Sequence, residues 1–281
     1  MSTWKIAAVQ MDCILGEPVR NRDAMLASLR EAAGQGARLA IFPECALTGY
    51  CFTSKAEAMP FAEPIPGPST LAFIDACREL GIYAIVGMLE LAGDHLYNVA
   101  VLLGPNGVVA VYRKVHLPFL GVDRFTTPGN RPFAVHAIGD LRVGMAICYD
   151  GSFPEVARCL MLRGADLIAL PTNWPTGAFK SAQILVPARA LENHVFYAAV
   201  NRVGTEAGFR FIGFSQIVNP YGEVKAVARS EGPEILYADI DPALARNKHL
   251  VNIPGEYEIH RTRDRRPDLY SPVAQPLDAT T

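Results

Sequence analysis

Apolar runs of strand length alternate with helix-like stretches along most of this 281-residue chain, and three of the runs end abruptly in a reactive side chain. Leu39-Ala40-Ile41-Phe42-Pro43 delivers Glu44, Gly107-Val108-Val109-Ala110-Val111-Tyr112-Arg113 delivers Lys114, and Leu141-Arg142-Val143-Gly144-Met145-Ala146-Ile147 delivers Cys148. Strands that alternate with helices pack as α/β layers. In open α/β sheets, ligand sites gather beyond the carboxyl ends of strands, so groups remote in sequence can meet in one crevice. The pattern thus predicts an α/β fold in which an acid, a cation and a thiol converge.

The alternation can be followed element by element. A strand over Lys5 to Met11 leads through Gly16-Glu17-Pro18 into a helix over Asn21 to Gln35, with Met25, Leu26, Leu29 and Ala33 on one face. A strand over Leu39 to Phe42 precedes a helix over Ser69 to Leu80 that ends at Gly81, with Ser69 as N-cap. Tyr83 to Leu89 reads as a strand, and Tyr97 to Leu103 and Val108 to Tyr112 read as a hairpin across Gly104-Pro105-Asn106-Gly107. Alternation resumes with a strand over Leu141 to Ile147, a helix over Pro154 to Arg163, a strand over Leu167 to Leu170, a helix over Gln183 to Asn193 and a strand over Phe196 to Asn201. Three strands follow, Ser215 to Val218, Val224 to Ala228 and Ile235 to Asp239. Parallel crossovers and hairpins together imply mixed sheets, two of them packed together with helices outside. The turns Gly104-Pro105-Asn106-Gly107 and Asn219-Pro220-Tyr221-Gly222 hint at two similar halves.

Half of the residues are hydrophobic and 19% are charged, a globular composition with no linker to divide it, and only the C-terminal tail is a candidate for disorder. A net charge of −2 gives no footprint for nucleic acid or an anionic membrane, so the expected partner is a small molecule. No run approaches the roughly 18 apolar residues of a membrane span, and Gln10 and Asp12 interrupt the N-terminal apolar stretch before a signal-peptide core can form. A cytoplasmic protein is expected. Cys13, Cys45, Cys51, Cys77, Cys148 and Cys159 show no C-x-x-C or zinc-type spacing, so a metal site is not expected and five of them read as small buried hydrophobes.

A cysteine attacks as thiolate and needs a base or nearby positive charge to offset its free pKa of about 8.5. Glu44 and Lys114 offer those two functions. Taken singly, each of the three residues has an ordinary structural reading: a packed thiol, a loop acid and an exposed lysine. Their contexts change this. Phe42-Pro43-Glu44-Cys45-Ala46-Leu47-Thr48-Gly49-Tyr50, Tyr112-Arg113-Lys114-Val115-His116-Leu117, and Ile147-Cys148-Tyr149-Asp150 with Phe153-Pro154-Glu155 closely resemble, in order, the three signature blocks of the nitrilase superfamily of carbon–nitrogen hydrolases. The likeness extends from about Lys5 to Asp239 and takes in Pro171-Thr172-Asn173-Trp174, Ala188-Arg189-Ala190-Leu191-Glu192-Asn193 and Asn201-Arg202-Val203-Gly204.

The resemblance implies one domain over 1–281, built as an αββα sandwich of two mixed sheets, with 250–281 as an extension at a subunit interface of a homodimer or larger oligomer. It implies a hydrolase of non-peptide carbon–nitrogen bonds, of amidase, omega-amidase or carbamoyl-amidase type, that needs no metal or organic cofactor. Glu44 would take the Cys148 proton, the thiolate would attack, and Lys114 with a nearby backbone N–H would stabilise the developing charge through a thioester. Many members carry a second glutamate after the lysine; the nearest acid here is Asp123, which could instead pair with Arg124. Tyr50, Tyr149, Asn173 and Trp174 are expected to contact substrate, with Phe119 and Phe125 weaker candidates, and His116 reads as structural. Members acting on carbamoyl amino acids hold the substrate carboxylate with arginines after the cysteine, where this chain has Gly151 and Ser152, so a neutral amide is favoured. Nitrile hydrolysis through a thioimidate is the alternative chemistry. A silent binding or scaffold protein on the same fold is the alternative class.

Overall fold

The computed structural model describes residues 3–276 and divides the chain into two compact units, 1–246 and 247–281. The first unit contains strands β1 (Trp4–Gln10), β2 (Leu39–Ile41), β3 (Tyr83–Ala92), β4 (His95–Gly104), β5 (Gly107–Arg113), β6 (Val135–Ile138), β7 (Leu141–Met145), β8 (Leu167–Thr172), β9 (Phe196–Asn201), the short β10 (Thr205–Glu206) and β11 (Phe209–Arg210), β12 (Gln216–Val218), β13 (Val224–Val227) and β14 (Glu234–Ile240). Its helices are α1 (Pro18–Gly34), α2 (Lys55–Ala58), α3 (Pro68–Leu80), α4 (Pro154–Leu162), α5 (Phe179–Asn193) and α6 (Pro242–Arg246).

Two six-stranded mixed sheets organise this unit, in the orders β14-β1-β2-β3-β4-β5 and β13-β12-β9-β8-β7-β6. Each has a parallel centre, β1-β2-β3 in one and β7-β8-β9 in the other, flanked by antiparallel strands. This common plan is the physical content of the two similar halves. Strand side chains alternate faces, and β1 shows how the layers follow: Ile6 and Ala8 belong to the core shared with β7, β8 and β9 of the other sheet, whereas Ala7 and Val9 belong to the core shared with α1 and α3. Helices α4 and α5 cover the second sheet, Leu160 and Val186 joining its core. Layers of helix, sheet, sheet and helix result.

Several boundaries differ from expectation for identifiable reasons. Helix α1 starts three residues early because Pro18, whose missing N–H costs nothing in a first helical turn, occupies that turn. Strand β8 runs two residues longer, through Pro171 to Thr172, in register with Val200 and Asn201 of β9. Helix α5 begins four residues before Gln183, and α4 stops at Leu162, one residue short. Edge strand β6, four residues with His136 among them, has no clear sequence signal.

The second unit contains an antiparallel hairpin of β15 (His249–Ile253) and β16 (Tyr257–His260), in the tail for which the sequence reading gave no strand. The last part of the expected 250–281 extension, 277–281, lies outside the described residues. Among the described residues no helix is long and apolar enough to cross a membrane.

Candidate active site

Glu44 follows β2 in the tight turn Pro43-Glu44-Cys45, where Cys45 has a left-handed φ of 47°. This turn lies directly on β3 at Gly87: a Cβ there would fall 2.1 Å from the Pro43 carbonyl oxygen, so only glycine admits the approach. Lys114 leaves β5 with its N–H donated to the Asn98 carbonyl of β4 at 2.9 Å. Asp123 lies in the 3-10 turn Gly121–Arg124. That turn fits against Tyr50 because Gly121, at φ +50°, has no Cβ; one would lie 2.4 Å from the Tyr50 ring.

Glu44, Lys114 and Asp123 are fully buried and meet in one network. Lys114 Nζ donates to Glu44 Oε1 at 2.6 Å and to Asp123 Oδ2 at 2.5 Å. Asn98 Nδ2 donates to Glu44 Oε1 at 2.7 Å and Asp123 Oδ1 at 2.9 Å, and the Tyr50 hydroxyl donates to Asp123 Oδ2 at 2.8 Å. The shorter arm of Asp123 thus reaches the lysine because its turn is drawn inward. Arg124 turns elsewhere, donating to the carbonyls of Gly121 and Phe52.

Burial raises the Glu44 pKa, with Asp123 adding to the shift and Lys114 opposing it. Burial alone would lower that of Lys114, but Asp123 and Glu44 more than offset it, and the ammonium persists well above its ordinary range.

Cys148 comes from the other sheet. It leaves β7 through Ala146 and Ile147 and opens a 3-10 turn, Cys148–Ser152, with its own φ at 46°, a left-handed geometry that costs free energy outside glycine. The first bond of the turn runs from the Asp150 N–H to the Ile147 carbonyl at 2.9 Å, so the turn supplies no acceptor for the N–H groups of Cys148 and Tyr149.

Two buried charges clamp this turn. Asp150 accepts from the Ile147 N–H (2.9 Å), the Tyr112 hydroxyl (2.7 Å) and the His116 N–H (3.0 Å), and bonds His116 Nδ1 at 2.7 Å. On the other side, Arg189 of α5 donates to the carbonyls of Gly151 and Ser152, both at 3.2 Å, and pairs with Glu192 at 3.0 Å. His116 also stacks on Phe153, ring centroids 3.8 Å apart, which agrees with its structural reading.

Burial pushes the Cys148 thiol up to about 12, and the Glu44 charge adds to the shift. Lys114, the Thr172 hydroxyl and the Asn173 N–H act in the other direction. Cys148 therefore rests as a thiol beside a carboxylate and requires a base to become a nucleophile.

Several buried polar atoms around this junction have no other hydrogen-bond partner: Glu44 Oε2, Thr172 Oγ1, and both Oδ1 and Nδ2 of Asn173. Trp174 follows, also buried, and lines a void of about 10 Å³ beside Cys148 with Leu170, Val186, Arg189 and Tyr197. That is room for about one water. Tyr149 is 39% exposed and edge-on to Phe153; Tyr50 points its hydroxyl at Asp123; Phe119 is 91% exposed. Among the described residues no His, Cys, Asp or Glu cluster is arranged to hold a metal.

The carbon–nitrogen hydrolase family model matches residues 5–249. This chain belongs to that family. It is a hydrolase of non-peptide carbon–nitrogen bonds. Among its relatives, a protein of Pyrococcus abyssi named nitrilase is 40% identical over 95% of this chain and 98% of its own, and an omega-amidase of Homo sapiens is 33% identical over 96% and 98%. An amidase of the nitrilase superfamily from Nesterenkonia superposes with a TM-score of 0.79 at 26% identity, covering 96% of this chain and 97% of that one. One structure of that amidase carries the acetamide moiety of fluoroacetamide covalently added at its active-site cysteine, and another is a complex with butyramide.

Asn98, Asp150, Arg189 and Thr172 are the site residues that the sequence reading missed. Asn98 had a signal, as a lone polar side chain in the apolar run Leu96 to Leu103. Asp150, Thr172 and Arg189 stand in segments that resemble the family, with no local signal of what each one holds.

Proposed function

We propose that this chain hydrolyses small neutral primary amides to the acid and ammonia, with Glu44 as general base, Cys148 as nucleophile and Lys114 as oxyanion donor. In this reading Glu44 removes the thiol proton and the thiolate attacks the amide carbon. The oxygen that becomes negative is met by Lys114 and by an N–H that opens the Cys148–Ser152 turn. Ammonia leaves with the returned proton, Glu44 activates water against the thioester, and the acid departs with the thiol restored. Asp123 holds Lys114 charged and in place.

The observation that carries the reading is the Glu44–Lys114–Asp123 network next to a protonated, buried thiol. The unpaired buried atoms favour an amide over a nitrile. Glu44 Oε2 and Asn173 Oδ1 are acceptors, which a primary amide can fill with its two N–H groups and a nitrile cannot. A site left with unfilled buried acceptors discriminates strongly against the analogue that lacks the donors. The acetamide moiety and butyramide on the Nesterenkonia amidase support a short acyl group, and the void bounded by Trp174 adds room for no more than about one water. Arg189, the one cation lining that void, is already engaged by two carbonyls and Glu192, which argues against a carboxylate-bearing substrate.

The test is ammonia release from a panel of short aliphatic amides, ureido acids and the matching nitriles. Amides turned over at least about 100-fold faster than their nitriles support the reading; preferred nitrile hydrolysis, or full activity in Cys148→Ala, refutes it.

The reading includes a cytoplasmic setting, supported by six cysteines that stand as free thiols. It also includes a homodimer or larger assembly, supported by exposed Phe179, Ile184 and Leu191 on α5 and Leu162 on α4. A role for the C-terminal extension in that assembly is tested by truncation after Asn247. An earlier cut would remove Arg246, which pairs with buried Asp166 at 2.7 Å. Loss of the oligomer on truncation is expected, and an unchanged oligomer rejects the extension's role.

A further inference from the structure

Asn98 shares with Lys114 the property of bonding both carboxylates of the site, and its main-chain carbonyl also accepts the Lys114 N–H at 2.9 Å. Its amide has a single sensible orientation. The Cys45 thiol, which burial keeps protonated, donates to Oδ1 at 3.5 Å, so the two N–H bonds of Nδ2 are left for Glu44 Oε1 at 2.7 Å and Asp123 Oδ1 at 2.9 Å. Reversing the amide would set its oxygen against two carboxylates. Lys114 Nζ bonds the same Glu44 oxygen, Oε1, at 2.6 Å, while Oε2 has no partner.

From this geometry we infer that Asn98 is a positioning residue for the general base: with Lys114 it fixes Glu44 through Oε1 and leaves Oε2 as the atom that exchanges the proton with Cys148. The role rests on Glu44 acting as the base. Without Asn98, two carboxylates would share one ammonium, and Glu44 would be free to rotate either oxygen toward the lysine. Because Asn98 bonds the ionised form, its loss also makes protonation of Glu44 easier, so the group titrates at higher pH. The titratable and charged groups that face Glu44 are Lys114, Asp123, the thiols of Cys45 and Cys148, and the Tyr50 phenol.

The experiment measures the pH dependence of kcat/KM and, separately, of Cys148 alkylation by iodoacetamide, in wild type, Asn98→Ala, Glu44→Gln and the double variant. Asn98→Ser stands in if alanine does not fold. Losing one hydrogen bond to a charged group predicts an acid limb raised by about one pH unit in both profiles, and a rate at neutral pH lowered about tenfold or more. In the Glu44→Gln background, the alkylation rate should be insensitive to Asn98. An acid limb that stays in place, or an equal Asn98 effect with and without the Glu44 carboxylate, overturns the positioning role. Glu44→Gln with wild-type alkylation and turnover would instead overturn the base assignment itself.

Discussion

The two sheets contribute to the site in opposite ways. The first brings Glu44, Lys114 and, through the loop after β5, Asp123, joined by Asn98 and Tyr50 into a network in which nearly every polar atom is bonded. The second brings a neutral thiol on a left-handed residue, held by Asp150 and Arg189, beside polar atoms of Thr172 and Asn173 that the fold leaves largely unpaired. One side is charged and internally satisfied; the other is strained and keeps buried polar atoms unpaired. Fixed charge can stabilise a transition state without reorganising, whereas a substrate needs groups that are still free.

The sharpest way to break this comparison is to remove the Cys148 sulfur from the second sheet's side. Cys148→Ala should lower kcat by a factor on the order of 10⁵ or more, as loss of a nucleophile does elsewhere, measured as ammonia release. Lys114→Ala removes the charge from the first sheet's network and leaves two buried carboxylates facing each other; a fall in kcat of about 100- to 1000-fold is expected. Asp123→Ala should lower kcat by about 10-fold or more. Gly121→Ala, whose Cβ would strike Tyr50, should reproduce part of that loss; if Asp123→Ala keeps wild-type turnover, the acid has no place in the site. Wild-type kcat/KM should be lost as pH falls through the raised Glu44 pKa, above the ordinary 4.5, with Cys148 remaining a thiol until about pH 12. The smallest effect expected is from Arg189→Lys, which keeps the charge but not the fork that spans two carbonyls: kcat down a few-fold with KM little changed.

How much of this the sequence discloses follows the same division. The acid, lysine and thiol were readable because each terminates an apolar run and stands in a recognisable block. The order of elements was readable because hydrophobic period and turn chemistry are local signals. The residues that hold the reactive groups were not. Asn98 lies 54 residues from Glu44, and Tyr112 lies 38 from Asp150, so nothing in either segment announces its partner. Asp123 could be proposed but not located, because its reach depends on how far Gly121 lets the turn approach Tyr50. Strand β6 escaped because an edge strand with one buried residue carries little periodicity.

The claim that a base from one sheet activates a thiol from the other is tested most directly by trapping the intermediate. A short aliphatic amide is mixed with the protein, turnover is quenched in acid, and intact mass and peptide mapping locate the adduct. The account predicts the acyl group on Cys148 in wild type, slower to form in Glu44→Gln and absent in Cys148→Ala together with ammonia release. Turnover with no acyl adduct on Cys148, and persisting in Cys148→Ala, would contradict it.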